Sequence, residues 1–139
     1  MSDLKSEFLF EITALLDKPI EIGESPLGKR LIYPVVGGTF DGPDLKGKVL
    51  PNGGDWLLML DATTTKLDVR AILETDGGDK IYIHYGGFIH YKADGSYYFR
   101  TNPVFETSSE KYNWLNYTIG VGVGELIEGG VKYKVYAIK

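Results

Sequence analysis

Lys66-Leu67-Asp68-Val69-Arg70-Ala71-Ile72-Leu73-Glu74 decides the reading of the fold. Leu67, Val69, Ala71 and Leu73 share one parity; Asp68, Arg70, Ile72 and Glu74 share the other. A period of two sends successive side chains to opposite faces of a strand. Asp76-Gly77-Gly78-Asp79 follows, a turn signal of the hairpin type. Beyond it, Ile81, Ile83 and Tyr85 alternate with Tyr82, His84 and Gly86. Two strands joined by so short a turn are antiparallel.

The same pattern recurs on both sides. Phe8, Phe10, Ile12 and Ala14 alternate with Leu9, Glu11, Thr13 and Leu15. Phe8, Ile12, Leu15 and Leu16 also fit a helical face, but all later periodicity is of period two, which favours a strand. Further strands are expected over residues 30–36, 45–50, 56–60, 97–101, 115–127 (the longest) and 131–138. Pro34 marks its strand as an edge or a bulged one, and Gly86-Gly87 signals a bulge or sharp bend. Residues 17–28 read as a loop, punctuated by Pro19, Gly23, Pro26 and Gly28. One helical turn is expected over residues 109–112. Strands every ten residues or so, with turn signals between, point to an all-β fold. The expectation is a single domain over residues 1–139, an antiparallel β-barrel or a strongly curved barrel-like sheet.

Composition narrows the function. The net charge of −4 argues against nucleic-acid binding, which needs a basic patch. The absence of cysteine excludes disulfides and thiolate chemistry, and it fits a reducing, cytoplasmic setting. The N-terminal Met-Ser-Asp-Leu-Lys-Ser-Glu does not read as a signal peptide, and no apolar run approaches the length of a membrane helix. Two histidines without metal-ligand spacing lead to no expected metal, and no cofactor loop is recognisable.

Several strands share an asymmetry: one face is aliphatic and the other mixes charges with aromatics. The mixed faces carry Asp68 with Arg70, Tyr82 with His84, Tyr98 with Arg100, and Trp114 with Asn116. Stacked side by side, these would form a polar-aromatic wall. Two assignments are open: the wall lines a cavity and the aliphatic faces pack against a partner subunit or second sheet, or the aliphatic face is the lumen and the wall is solvated. Gly120, Gly122 and Gly124 on one strand face either leave a groove for a ring or allow the sheet to curve. The segment from Tyr97 to Asn116 concentrates polar and aromatic groups and reads as a functional loop.

The landmarks Gly28-Lys29-Arg30, Gly37-Gly38-Thr39-Phe40-Asp41-Gly42-Pro43, Gly54-Asp55-Trp56, Leu67-Asp68-Val69-Arg70, Tyr98-Phe99-Arg100-Thr101, Phe105-Glu106-Thr107 and Tyr112-Asn113-Trp114-Leu115-Asn116 stand in this order. Together they resemble the family labelled domain of unknown function 3237. The resemblance implies a small calycin-like β-barrel and brings no catalytic set. Arg30, Asp55, Trp56, Asp68, Arg70, Arg100, Glu106, Trp114 and Asn116 match its signature positions.

The leading expectation is a homodimer that binds a small, partly aromatic, acidic or carbonyl-bearing ligand. Arg70 and Arg100 would grip its polar end. Trp56, Tyr82, Tyr98 and Trp114 would stack on its body, with Arg30, Asp68 and Asn116 completing the set. One alternative is an enzyme on the same cavity, with Asp55, His84 or Glu106 moving a proton. Another is an interaction module without a pocket.

Overall fold

The structure is a computed structural model and describes residues 3–139; Met1 and Ser2, the start of the stretch read for a leader, lie outside the described residues. Its strands are β1 (Ser6–Leu16), β2 (Ile20–Ser25), β3 (Gly28–Asp41), β4 (Lys46–Val49), β5 (Gly53–Met59), β6 (Thr64–Thr75), β7 (Lys80–Tyr91), β8 (Tyr97–Thr101), β9 (Val104–Glu106), β10 (Gly120–Ile127) and β11 (Gly130–Ile138). A 3-10 helix spans Asn113–Tyr117. Every pairing is antiparallel, as the short turns require.

The sheet is strongly curved and barrel-like, with pairings that run round as a ring from β1 through β3, β5, β6, β7, β8, β10 and β11 back to β1. It is thinnest between β8 and β10, where the pairs are Gly122↔Thr101 and Val123↔Arg100. Three positions in the ring are each filled by two strands laid end to end. β1 and β2 follow one another along β3, β4 and β5 lie between β3 and β6, and β8 and β9 follow one another along β7. Each interruption carries a proline: Pro19, Pro51 and Pro103. Proline lacks the N–H that a continuous ladder needs.

Several local expectations are corrected. Residues 17–28 are not a loop throughout, since β2 forms a hairpin with β3 from Ile20↔Ile32 to Ser25↔Gly28. The stretch 115–127 is not one strand. It begins in the 3-10 helix, and β3, with 14 residues, is longer than β10. The helical turn expected at 109–112 lies later, at Asn113–Tyr117. Pro34 does not sit at an edge, because β3 has neighbours on both sides; the bulge it announced falls just beyond, where Leu15 faces Gly37 and Leu16 faces Val35. Gly86-Gly87 keeps regular register with β6. Its glycine serves close approach instead, because a Cβ on Gly87 would strike the Arg100 carbonyl.

The lower end of the barrel is solid. Phe10, Phe40, Leu73, Ile81, Ile83 and Leu115 are fully buried there. Phe10 packs edge-on against Phe40 at 5.6 Å and against Phe105 at 6.2 Å. The segment from Tyr97 to Asn116, expected as a functional loop, forms part of this floor and wall: Phe99, Thr101, Pro103, Phe105, Tyr112 and Leu115 are all buried. The glycines of β10 leave no groove. A Cβ at Gly120, Gly122 or Gly124 would meet Pro103, Thr101 or the Phe99 ring, so the glycines let Pro103 and the β8 side chains pack directly on the β10 backbone.

Candidate functional site

The upper half of the barrel holds a cavity of about 630 Å³. The aliphatic parity lines it, so the leading orientation from sequence is reversed. Leu31, Tyr33 and Val35 of β3, Leu57 and Met59 of β5, Leu67 and Val69 of β6, Tyr85 and Ile89 of β7, Phe99 of β8 and Val131 and Tyr133 of β11 face it. The opening lies where β1 gives way to Asp17 and Lys18, beside Leu126 and Ile127 at the end of β10 and Gly129 of the following turn. A site this size, mostly apolar with a few converging polar groups, suits a small organic molecule.

One buried carboxylate breaks the apolar lining. Asp55 follows the inward parity of Leu57 and Met59 and is 7% exposed. Its Oδ1 accepts the main-chain N–H of Asp68 at 3.1 Å. Burial pushes its pKa up to about 6; the Asp68 N–H bond partly opposes the rise, and the nearby Asp68 charge adds to it. Tyr85 and Tyr133, both buried residues, stand close by with their rings edge-to-face at 5.2 Å. Desolvation raises both phenols above their ordinary range, and the Asp55 charge adds to each rise. Both therefore stay neutral hydrogen-bond donors at physiological pH.

The polar-aromatic wall exists, but on the outside. None of Arg30, Trp56, Asp68, Arg70, Tyr82, Tyr98, Arg100, Trp114 or Asn116 lines the cavity. Their parity is opposite to the buried one, for the same reason that Leu67 and Val69 point in. On this outer face the Arg70 guanidinium lies over the Trp56 ring at 5.6 Å, Asp68 meets His84 Nε2 at 3.0 Å, and Tyr82 stacks on His84. Arg30 donates to the Trp56 carbonyl at 2.8 Å. Arg100 covers Tyr98 and donates to the Phe99 carbonyl. Asn116 braces the loop above the 3-10 helix by bonding Thr107 through both main-chain groups, and Trp114 is exposed on that helix. Of the three proton-transfer candidates, Asp55 alone faces the cavity; His84 and Glu106 are on the outer surface.

Sequence reasoning passed over Tyr33, Tyr85 and Tyr133 as site residues. The signal was present: Tyr85 continues the Ile81, Ile83 parity, and Asp55 continues that of Leu57 and Met59. A lone acid or hydroxyl within an aliphatic face marks a polar group the fold has buried.

Residues 4–138 match the family described as protein of unknown function (DUF3237). The chain belongs to that family. The UPF0311 protein CA_C3321 of Clostridium acetobutylicum is 34% identical, over 99% of this chain and 96% of its own. A crystal structure of a β-barrel-like protein from Acinetobacter baumannii superposes with a TM-score of 0.95 at 36% identity, covering 100% of this chain and 98% of that one. The hydroalkoxylation enzyme phnH of Penicillium herquei is 31% identical over 79% of this chain and 67% of its own. The ring-like architecture is thus the family's fold.

Proposed function

We propose that this DUF3237 protein is an acid–base catalyst for a small, neutral, largely apolar molecule bearing a hydroxyl or carbonyl group. One observation carries the reading: the Asp55 carboxyl opens into an apolar cavity beside two neutral tyrosine hydroxyls. With a pKa of about 6, Asp55 both gives and takes a proton readily near neutral pH. Tyr85 and Tyr133 supply donors for an oxygen that gains negative charge. Lys18, at the mouth, is the one basic residue among those lining the cavity. An anionic head group deep in the lumen would meet Asp55 without a cation, which favours neutral ligands over the acidic ones expected from sequence.

The Penicillium herquei relative supports this direction. A hydroalkoxylation adds an alcohol O–H across a carbon–carbon double bond. One proton goes to carbon and one leaves oxygen, so a single carboxyl that donates and is then reprotonated balances the reaction. The Asp55 carboxyl, buried in the cavity wall, supports a role of this kind.

The test is a panel of alkenyl phenols and enolisable ketones, screened by thermal shift and then for product. A true ligand at a hundred times its dissociation constant stabilises the protein by ~2.7 kcal/mol. Asp55→Asn is expected to keep the thermal shift and lose turnover by roughly a hundred-fold or more. Full turnover in Asp55→Asn would end the acid–base reading. Binding without turnover in the native protein would make it a carrier of the same ligand class.

A further inference from the structure

The wall that holds Asp55 is locally open. β5 and β6 pair at Gly54↔Arg70 and Asp55↔Val69, and again at Leu58↔Lys66 and Met59↔Thr65. Trp56 and Leu57, between these, are not paired with β6. Side chains make connections there instead. From inside, Asp55 Oδ1 accepts the Asp68 N–H at 3.1 Å. From outside, Arg30 Nη1 donates to the Trp56 carbonyl at 2.8 Å, and Arg70 lies over the Trp56 ring.

Asp68 bridges the two sides. Its main chain holds the acid in the lumen, while its carboxylate projects outward. There Oδ1 is 3.0 Å from His84 Nε2, and Oδ2 is 3.5 Å from Arg70 Nη1. β6 and β7 are in register at this point, with Arg70 opposite His84. The outer contacts therefore fix the stretch of β6 whose N–H meets Asp55.

We propose that Asp68, clamped by His84 on the outer surface, is a positioning residue for Asp55, so that the proton-transfer group inside the barrel is set by a pair outside it. The inference rests on reading Asp55 as the acid–base group. The other titratable or charged groups around Asp55 are few. Tyr33 of β3, Tyr85 of β7 and Tyr133 of β11 line the cavity, with Asp17, Lys18 and Tyr91 towards the mouth. Arg30 of β3, Arg70 of β6 and His84 of β7 lie on the outer side. Among the described residues none of these makes a hydrogen bond to the Asp55 carboxylate; the Asp68 main-chain N–H does.

The experiment is an NMR titration of the Asp55 side-chain carboxyl carbon in the native protein, Asp68→Asn, His84→Ala and the double variant. No substrate is needed. Asp68→Asn removes a neighbouring negative charge and keeps the main-chain N–H, so the Asp55 midpoint is expected to fall by up to roughly half a pH unit. His84→Ala removes the 3.0 Å contact to Asp68 Oδ1 and leaves the Asp68 main chain less firmly held, so the midpoint is expected to rise by a smaller amount. In the Asp68→Asn background, the His84→Ala effect disappears, because the coupling runs through Asp68. A midpoint unmoved by either single variant, or a His84→Ala shift that survives in the double variant, overturns the inference. A native midpoint at the ordinary aspartate value is a different result: it removes the acid–base reading itself.

Discussion

The two ends of the barrel are built by the same strands yet differ in kind. Below, Phe10, Phe40, Phe105, Leu73, Ile81 and Leu115 fill the interior. Above, Leu31, Leu57, Leu67, Val69 and Ile89 surround a space of about 630 Å³ that no side chain enters. An unfilled lumen forgoes the dispersion contacts that a packed core makes. Stability is therefore concentrated at the floor, and the upper end is where a buried acid can be tolerated and reached. The register of β5, β6 and β7 puts Asp55, Val69 and Tyr85 in one row across the cavity wall.

The largest expected effect tests whether the floor carries the fold. Phe10→Ala should cost about 3–5 kcal/mol, because its neighbours cannot close the void. Leu57→Ala, on the cavity wall, should cost about 2 kcal/mol or less, since it already borders empty space. Denaturant unfolding of the two variants measures the contrast, and equal losses would break it.

Next comes the strain of the acid. The folded pKa of Asp55, about 6, lies above its unfolded value near 3.8. A raised carboxyl pKa contributes stability only while the group is protonated; the contribution is complete below pH 4 and is lost as pH rises through 6. Ionising Asp55 thus costs up to about 3 kcal/mol above pH 7. Asp55→Asn should be more stable than the native protein at pH 8, by an amount of that order, and should lose the advantage near pH 4. Parallel melting curves at the two pH values check this, and an unchanged difference would show that Asp55 is not strained.

The smallest effect belongs to the outer wall. Arg70 and Asp68 are both roughly half exposed and 3.5 Å apart. Arg70→Ala should change stability by ~0–1 kcal/mol and leave the affinity of a cavity ligand unchanged. A large loss of ligand binding, read by calorimetry with any hit from the thermal-shift panel, would return the outer wall to the binding site.

Much of the architecture was legible in the chain. The alternation in residues 66–74, the Asp76-Gly77-Gly78-Asp79 turn and the ten-residue spacing specify antiparallel neighbours locally. The turn forms with Gly78 at φ 93°, a conformation that favours glycine, and with Thr75 N–H bonded to the Asp79 carbonyl at 2.9 Å. The landmark residues likewise led to the right family. What misled was the wall. Arg70, Tyr82 and Arg100 share a face by parity, but parity does not say which face is concave.

The sequence by itself determined most of the strands, the antiparallel pairing of neighbours joined by short turns and the parity of the residues within those strands, because these depend on period-two geometry and on turns only a few residues long. Only the tertiary structure decided which face closed on itself. Curvature is set when β11 returns to β1 and the floor aromatics meet, contacts between residues far apart in the chain. That closure made Asp55, one of three proton-transfer candidates in the sequence, a buried acid near Tyr85 and Tyr133, from strands no local pattern could have brought together.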